Sequence, residues 1–415
     1  MIGWMYLCST NFQVLHRFGR PKEHVMIEHA QQLHDRLIGW RRHLHQHPEL
    51  GFQEVATAQY IVDALRPLGP TIRTGVGKTG VVAELGADHG PIVAIRADID
   101  ALPILEQSGV SFCSQTPGLM HACGHDAHIA MALGAAYLLH EQALPGRVRF
   151  LFQPCEETSD AEGKSGADRM LEDGALDGVT AILGLHVEPC LSAGQIAVSP
   201  GAIAAAPDTF HATIKGQGTH AAYPHHGIDP IWLTSQVLQA IYALCSRLID
   251  PVLPALITVG TIHGGTAHNI IPYEVTLSGT IRSFDEQTRV LLHRDLESAC
   301  AIARNFGGDY ELTINRGCPP VVNHRDVTEL VRAEALRMLG PERVEVQQPA
   351  CGGDDFAVFA RRVPGCYFLL GVGGGSHFYE CHDPRFTIDE AALPTGAALL
   401  AASALRLLER NARDG

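Results

Sequence analysis

The apolar positions along the chain follow two different periods. Between residues 28 and 45, Leu33, Leu37, Trp40 and Leu44 recur at helical spacing, and Pro48 in HPELGF forbids continuation. Two apolar runs rich in β-branched residues follow, at 81–85 and 92–100, the second ending in carboxylates and stopped by Pro103. Such runs suit strands buried on both faces. A helix is predicted over 126–142, with Ile129, Leu133, Ala136 and Tyr137 on one face, and strands over 148–152 and 181–187. Helices alternating with buried strands predict an α/β fold.

Beyond residue 206 the pattern changes. Residues 209–216 alternate apolar and polar, then a helix is predicted over 229–248, strands over 255–262 and 274–284, a helix over 286–305 and a strand over 309–316. The order β-α-β-β-α-β is the ferredoxin-like split motif, a self-contained unit inserted into the first. After Cys318 the α/β pattern resumes, with helices over 326–339, 354–362 and 389–410 and a strand over 366–373. The expected organisation is an N-terminal extension over 1–27, an α/β domain in two parts, 28–206 and 319–415, and an inserted domain over 207–318.

Composition narrows what such a chain does. With 415 residues, 46% hydrophobic and 18% charged, it is long enough for two well-packed domains. Its formal net charge of −14 opposes a phosphate backbone, so nucleic acid is excluded as a partner, and cations and small solutes are favoured. No stretch of roughly 20 uninterrupted apolar residues predicts a membrane span. The N-terminal stretch is too polar after Cys8 for an export signal. Eleven cysteines, an odd number with no C-x-x-C pair, imply reduced thiols and a cytoplasmic location. The 23 histidines are an excess of the commonest metal-ligand side chain.

Candidate chemistry gathers in short clusters. In HACGHDAH, residues 121–128, Cys123 and His125 alternate with Ala122 and Gly124 and project to one side of an extended loop. Taken singly, Asp126 reads equally well as a helix cap and Cys123 as a buried thiol. Together, a thiolate and an imidazole select zinc or another divalent transition metal. In FQPCEE, adjacent Glu156 and Glu157 point to opposite faces, so one can ligate a metal while the other leans over the reactive water. A bare Glu pair is ordinarily surface, but this one directly follows a buried strand, where ligands collect in open α/β sheets. His186 and His382 occupy similar places, and Asp98 and Asp100 are carboxylates able to orient a ligating imidazole. Cys123, His125, Glu157, His186 and His382 are too many for one tetrahedral zinc with an open position, and two metals sharing a bridge fit better.

The sequence resembles the M20 group of metal-dependent amidohydrolases and peptidases, in particular its hippurate hydrolase and auxin-conjugate hydrolase branch. The resemblance spans about residues 28–412 and is carried by RRHLHQHPELGFQE, RADIDALP, HACGHDAH, FQPCEE, LGLHVEP, HAAYPHHGIDPI, GGTAHNIIP, DDFAVF and HDPRF. It implies a two-metal, exopeptidase-like α/β catalytic domain interrupted by a ferredoxin-like dimerisation or lid domain. Carried over, it makes Cys123, His125, Glu157, His186 and His382 ligands of two divalent metal ions per subunit, zinc, manganese, cobalt or nickel, and Glu156 the general base. His220 and Asn269 correspond to groups that reach the substrate carbonyl, with His220 supplied by the partner subunit of a homodimer, and Arg282 is a candidate for holding a substrate carboxylate. The activity implied is hydrolysis of an N-acyl amino acid, or a small peptide-like amide, to a carboxylic acid and a free amino acid.

Three departures stand out. The segment over 158–170 is longer and more polar than in this branch, Asp354 stands where glutamate is common, and residues 1–27 have no counterpart. None removes a ligand or the base. A non-catalytic binding protein on the same scaffold would lose the base, and Glu156 is present; a metal-storage protein would cluster its histidines in one tract. No G-x-S-x-G turn supports a serine nucleophile.

Overall fold

The computed structural model describes residues 22–373 and 379–414. Its chain begins with helices α1 (Lys22–Gln32), α2 (His34–Gln46) and α3 (Val55–Leu65), then strands β1 (Thr71–Val76), β2 (Gly80–Gly86) and β3 (Ile92–Asp98). Helix α4 (His125–His140), β4 (Arg147–Gln153), α5 (Gly166–Glu172), β5 (Val179–Ser192), β6 (Ile196–Ala197) and β7 (Gly201–Ala204) complete the first block. The next runs β8 (Ala206–Lys215), β9 (Thr219–His220), α6 (Pro230–Arg247), β10 (Ala255–Gly264), β11 (Ile270–Ile271), β12 (Glu274–Ser283), α7 (Glu286–Ala301) and β13 (Asp309–Asn315). The last holds β14 (Val321–Asn323), α8 (Arg325–Leu339), β15 (Val344–Glu345), α9 (Phe356–Ala360), β16 (Gly365–Gly373) and α10 (Leu393–Asp414).

Eight strands form one sheet in the order β1-β2-β4-β3-β5-β16-β6-β15, whose central four, β4, β3, β5 and β16, run parallel. Those four are the apolar runs, and their side chains are buried on both faces, as a sheet covered by helices on each side requires. One face packs under α1, α2, α3, α4, α8 and α10, and the other under α5 and α9. Because β4 and β5 lie on opposite sides of β3, the chain direction reverses there and opens a crevice at the strands' C-terminal ends. The inserted unit is a separate four-stranded antiparallel sheet, β10-β12-β8-β13, with α6 and α7 enclosing its own core. This is an α/β domain with a ferredoxin-like β-α-β-β-α-β insertion.

Several local expectations differ from what forms. The single helix expected over 28–45 is two helices, interrupted at Leu33 (φ −86°, ψ −1°), and it begins at Lys22, inside the stretch expected to be an extension. Met26 and Ala30 account for this, since both are buried in the main core although His and Glu neighbours hide their periodicity. The polar segment over 158–170 leads into α5, capped by a reciprocal Ser165–Asp168 box. The helical segment Glu390–Arg413 is long and apolar enough to cross a membrane, with mean hydropathy 1.5, yet 89% of that apolar window is buried inside the protein. Gly396 explains how closely it packs: a Cβ there would lie 2.1 Å from Met131 Sδ on α4.

Candidate metal centre

The crevice collects one loop from each central strand. β3 ends in Asp98 and is followed by Asp100, and after β4 the chain turns through Pro154 and Cys155, the latter at φ 47°, a left-handed conformation that a non-glycine residue holds only when its surroundings fix it. They do so on both sides of Glu156. The Cys155 N–H donates to Glu54 Oε1 at 2.8 Å, and the Glu157 N–H donates to Asp100 Oδ2 at 3.0 Å. Gly124 caps α4 at φ 86°, and a Cβ there would meet Val187 Cγ2 at 2.4 Å, so only glycine lets the 121–125 loop lie against β5.

Five ligand-type groups result, each with its donor atoms within 4.8 Å of one another: Cys123, His125 and His186; Asp98, His125 and His128; Cys123, Glu157 and His382; His125, Glu156 and Glu157; and Glu156, Asp354 and Asp355. His186 Nε2 and His382 Nε2 each stand 3.3 Å from Cys123 Sγ, and His382 Nε2 is 3.1 Å from Glu157 Oε1. The outer ring nitrogens are occupied: His125 Nδ1 donates to the Asp100 carbonyl at 2.8 Å and His186 Nδ1 to the Val187 carbonyl at 2.7 Å. Their Nε2 atoms therefore aim inward. His125 Nε2 is buried without a hydrogen-bond partner, a costly state that a bound cation would relieve. This donor set of one sulfur, three imidazoles and carboxylates suits divalent transition metals.

The electrostatics agree. Burial alone would depress the His125 imidazole, but Asp98, Asp100 and Glu157 carry it well above the usual histidine range. Burial and neighbouring His128 push His186 down to about 4, leaving it neutral and able to ligate. Burial, Asp354 and Glu157 push the Glu156 carboxyl well above its usual range. Glu157 goes the other way: although burial raises it, His382 and His125 hold it below. The crevice thus demands positive charge.

Residues 94–406 match the family described as Peptidase family M20/M25/M40. The chain belongs to that family. Among its M20 relatives, the N-acetyl-L-cysteine deacetylase of Bacillus subtilis is 41% identical over 94% of this chain and 92% of its own length. An IAA-amino acid hydrolase (ILR1-like 5) of Arabidopsis thaliana is 38% identical over 94% of this chain and 90% of its own. A solved Bacillus subtilis structure, described as a dinuclear metal-binding peptidase from the M20 family, is 37% identical over 91% of this chain and 99% of its own, with a TM-score of 0.80. The protein is accordingly an M20-family amidohydrolase.

Within this M20 crevice the sequence-derived candidates separate. Cys123, Glu156, Glu157, His186 and His382 line one cavity of about 710 Å³, and His125 joins them through the distances above. The polar 158–170 segment lines it too, through Thr158, Ser159, Gly163 and Ser165. Asp98 does not hydrogen-bond His125, standing 3.8 Å from its Nε2; its carboxylate instead takes His128 at 2.5 Å and Arg96 at 2.6 Å. Arg282 is absent from the cavity lining, and its guanidinium is spent on the carbonyls of Cys351, Asp208 and Ile281. His220 and Asn269 are exposed neighbours in the inserted domain, where the Ala221 N–H donates to the Asn269 carbonyl at 3.0 Å, and neither lines the cavity of its own chain.

Supporting residues went unread in the sequence. Arg96 is buried among Asp98, Asp355 at 2.9 Å and Asp354 at 3.1 Å, a cation whose removal from water needs such partners. His128 bridges Asp98 to the Val187 N–H at 3.0 Å, tying α4 to the strand that bears His186. Asp354, the shortened carboxylate, caps α9 through the Phe356 N–H at 2.7 Å and accepts from the Tyr367 hydroxyl. The RADID and HACGHDAH motifs contain Arg96 and His128, so the signal was present without a partner to interpret it.

Proposed function

We propose that this amidohydrolase cleaves the amide bond of N-acyl amino acids, or of small peptide-like amides, releasing a carboxylic acid and a free amino acid. The observation that carries the reading is the setting of Glu156, pinned on both sides through Cys155 and Glu157 while its side chain lines the cavity beside Glu157, Cys123 and His382. The names of the deacetylase and IAA-amino acid hydrolase relatives support that substrate class.

Cys123, His125, Glu157, His186 and His382 are assigned as ligands of two divalent cations, zinc, manganese, cobalt or nickel. When bound, such a pair polarises an amide carbonyl and makes water acidic enough to attack near neutral pH. Glu156 accepts the proton of the attacking water on its carboxylate and returns it to the leaving nitrogen. Asp100 holds the imidazole of His125 through its carbonyl and the backbone of Glu157 through its carboxylate, so one residue fixes two ligands.

His220 and Asn269 are assigned to the substrate carbonyl, with His220 supplied by the partner subunit of a homodimer. Supporting this, β10 is an edge strand carrying exposed Leu256 and Ile262, with exposed Tyr242 on α6 and Leu248 and Val252 just beyond it, an apolar margin suited to a second copy. The unpaired state of the ten described cysteines supports a cytoplasmic location.

The test is a hydrolysis screen of N-acetyl, N-benzoyl and indole-acyl amino acids, with metal-free protein reloaded separately with each of the four cations. Release of free amino acid from at least one series is expected. No release with any cation would overturn the reading.

A further inference from the structure

The HPELGFQE segment, 47–54, carries part of the family resemblance, yet none of its residues lines the cavity. It forms a bracket behind the loops that follow β3 and β4. The Ala101 N–H, next to Asp100, donates to the Glu49 carbonyl at 2.8 Å. Gly51 lies against the turn after β4: a Cβ there would stand 2.7 Å from Cys155 Sγ and 3.1 Å from Cys155 Cα, so glycine lets the two turns pack this closely. Glu54 completes the bracket. It is buried and makes no cap bond to α3, whose start it marks. Its Oε1 accepts from the Cys155 N–H at 2.8 Å, and its Oε2 accepts from the Thr79 hydroxyl at 2.5 Å, which fixes the carboxylate in place.

We propose, resting on the assignment of Glu156 as general base, that Glu54 is a positioning residue for catalysis, holding Cys155 in the left-handed conformation that aims Glu156 at the reacting water. At φ 47° the Cys155 backbone persists only while its neighbours over-determine it. Its carbonyl is held by the Gly166 N–H at 2.9 Å and its N–H by Glu54, and without Glu54 that N–H is buried and unpaired. The two glutamates that follow depend on this unequally. Glu157 has an anchor of its own, its N–H on Asp100 Oδ2, whereas Glu156 comes directly after Cys155 and takes its direction from the φ that Glu54 fixes. Loss of Glu54 therefore misdirects the base and spares the ligand. A misplacement on the order of 1 Å at a reacting group costs about 100-fold in rate.

The experiment compares Glu54→Leu, which fills the buried space without an acceptor, with Glu54→Gln, whose carbonyl still accepts from Cys155 and whose amide can donate to Thr79 Oγ1. Both are assayed as metal-loaded full-length enzyme on N-acetyl-methionine or the best substrate of the hydrolysis screen, with metal content measured alongside. Glu54→Leu should lower kcat roughly 10- to 100-fold, with KM within about threefold and metal content as in wild type. Glu54→Gln should stay within about threefold of wild-type kcat. In a Glu156→Gln background, adding Glu54→Leu should change kcat by less than about twofold, because nothing is left to position. A residue that only held the fold would cost the same factor in both backgrounds, so multiplying effects overturn the proposal. Wild-type kcat in Glu54→Leu, loss of its metal together with turnover, or a Glu54→Gln as slow as Glu54→Leu overturns it too. If Glu54→Leu does not fold, Glu54→Asp, whose carboxylate stops one methylene short of Cys155, is expected to show the same loss of kcat with metal retained, and full kcat there overturns the proposal. All these outcomes leave Glu156 standing as base. Wild-type kcat in Glu156→Gln would overturn the base assignment and the proposal together.

Discussion

His382 and Cys123 are 259 positions apart in the chain, yet His382 Nε2 stands 3.3 Å from Cys123 Sγ. The backbone enforces the meeting: the His382 N–H donates to the Ala122 carbonyl at 2.8 Å, and His382 holds φ 70°. Truncating the imidazole leaves that hydrogen bond in place. His382→Ala should therefore lose metal while keeping its fold, and Cys123→Ser should weaken metal retention by at least about tenfold, because a hydroxyl is neither soft nor ionised at neutral pH. Metal analysis after dialysis decides both. Full stoichiometry and affinity in either variant would remove that residue from the ligand set.

Glu156 and Glu157 are adjacent but should fail in different ways. Glu156→Gln preserves shape and removes the proton acceptor, so metal content should persist while kcat falls on the order of 100-fold or more. Glu157→Gln replaces an anionic group facing Cys123 and His382 with a neutral amide, so metal and turnover should disappear together. Equal metal content in the two variants would show that the roles were assigned wrongly.

How far the sequence carried the reading follows from which contacts are local. The buried parallel strands were legible because their apolar runs need no partner to be recognised; Glu157 and His186 were legible because they stand at the ends of such runs, and Cys123, His125 and His382 because they sit in dense loop motifs. Helix α3 was not, since its start is capped from a distance: Glu49 accepts from the Ala56 and Thr57 N–H groups at 3.1 and 2.8 Å. Arg96 reads as a polar interruption in an apolar strand until the fold brings Asp354 and Asp355 to it across more than 250 residues. Arg282, given by the resemblance as a candidate for a substrate carboxylate, donates to backbone carbonyls of its own chain, contacts that leave no mark in a sequence.

Helix α1 gives a stability test. Met26 is 5% exposed and packs into the main core, so Met26→Ala should cost about 2 kcal/mol through lost burial and the space left behind. The urea midpoint should fall, with catalysis unaffected in the fraction that remains folded. An unchanged midpoint would mean that α1 contributes no net stability.

His45, which does not line the cavity, supplies a pH test. Burial would lower its pKa, but Asp126 at 2.8 Å and Glu106 at 3.1 Å outweigh this and raise it above the ordinary histidine value. A histidine whose folded pKa is raised adds stability that is fully present below its unfolded value of about 6.5 and is lost as pH rises through the folded value. The stability gap between wild type and His45→Gln should therefore be full below about pH 6.5 and narrow as pH rises through the raised folded value. Thermal unfolding across that range measures it, and a gap independent of pH would mean that His45 does not titrate there.

The sharpest test concerns His220, which is exposed, keeps its Nδ1 3.0 Å from the Ala222 N–H, and lies outside the cavity of its own chain. If it completes the site of a second subunit, His220→Ala should cut turnover strongly and leave metal content intact, because a group that meets only the reacting carbonyl contributes little to the resting site. A single variant cannot separate that role from one within the same chain. Mixing Glu156→Gln with His220→Ala under conditions of subunit exchange can. In a mixed dimer, one site combines the altered Glu156 with the altered His220, and the other combines both original residues. Activity should reappear, approaching one working site per mixed dimer, and at equal input about half of all dimers are mixed. Exchange can be followed independently with subunits of distinguishable mass. If mixed dimers are present and turnover stays at the level of the separate variants, His220 does not act across the interface.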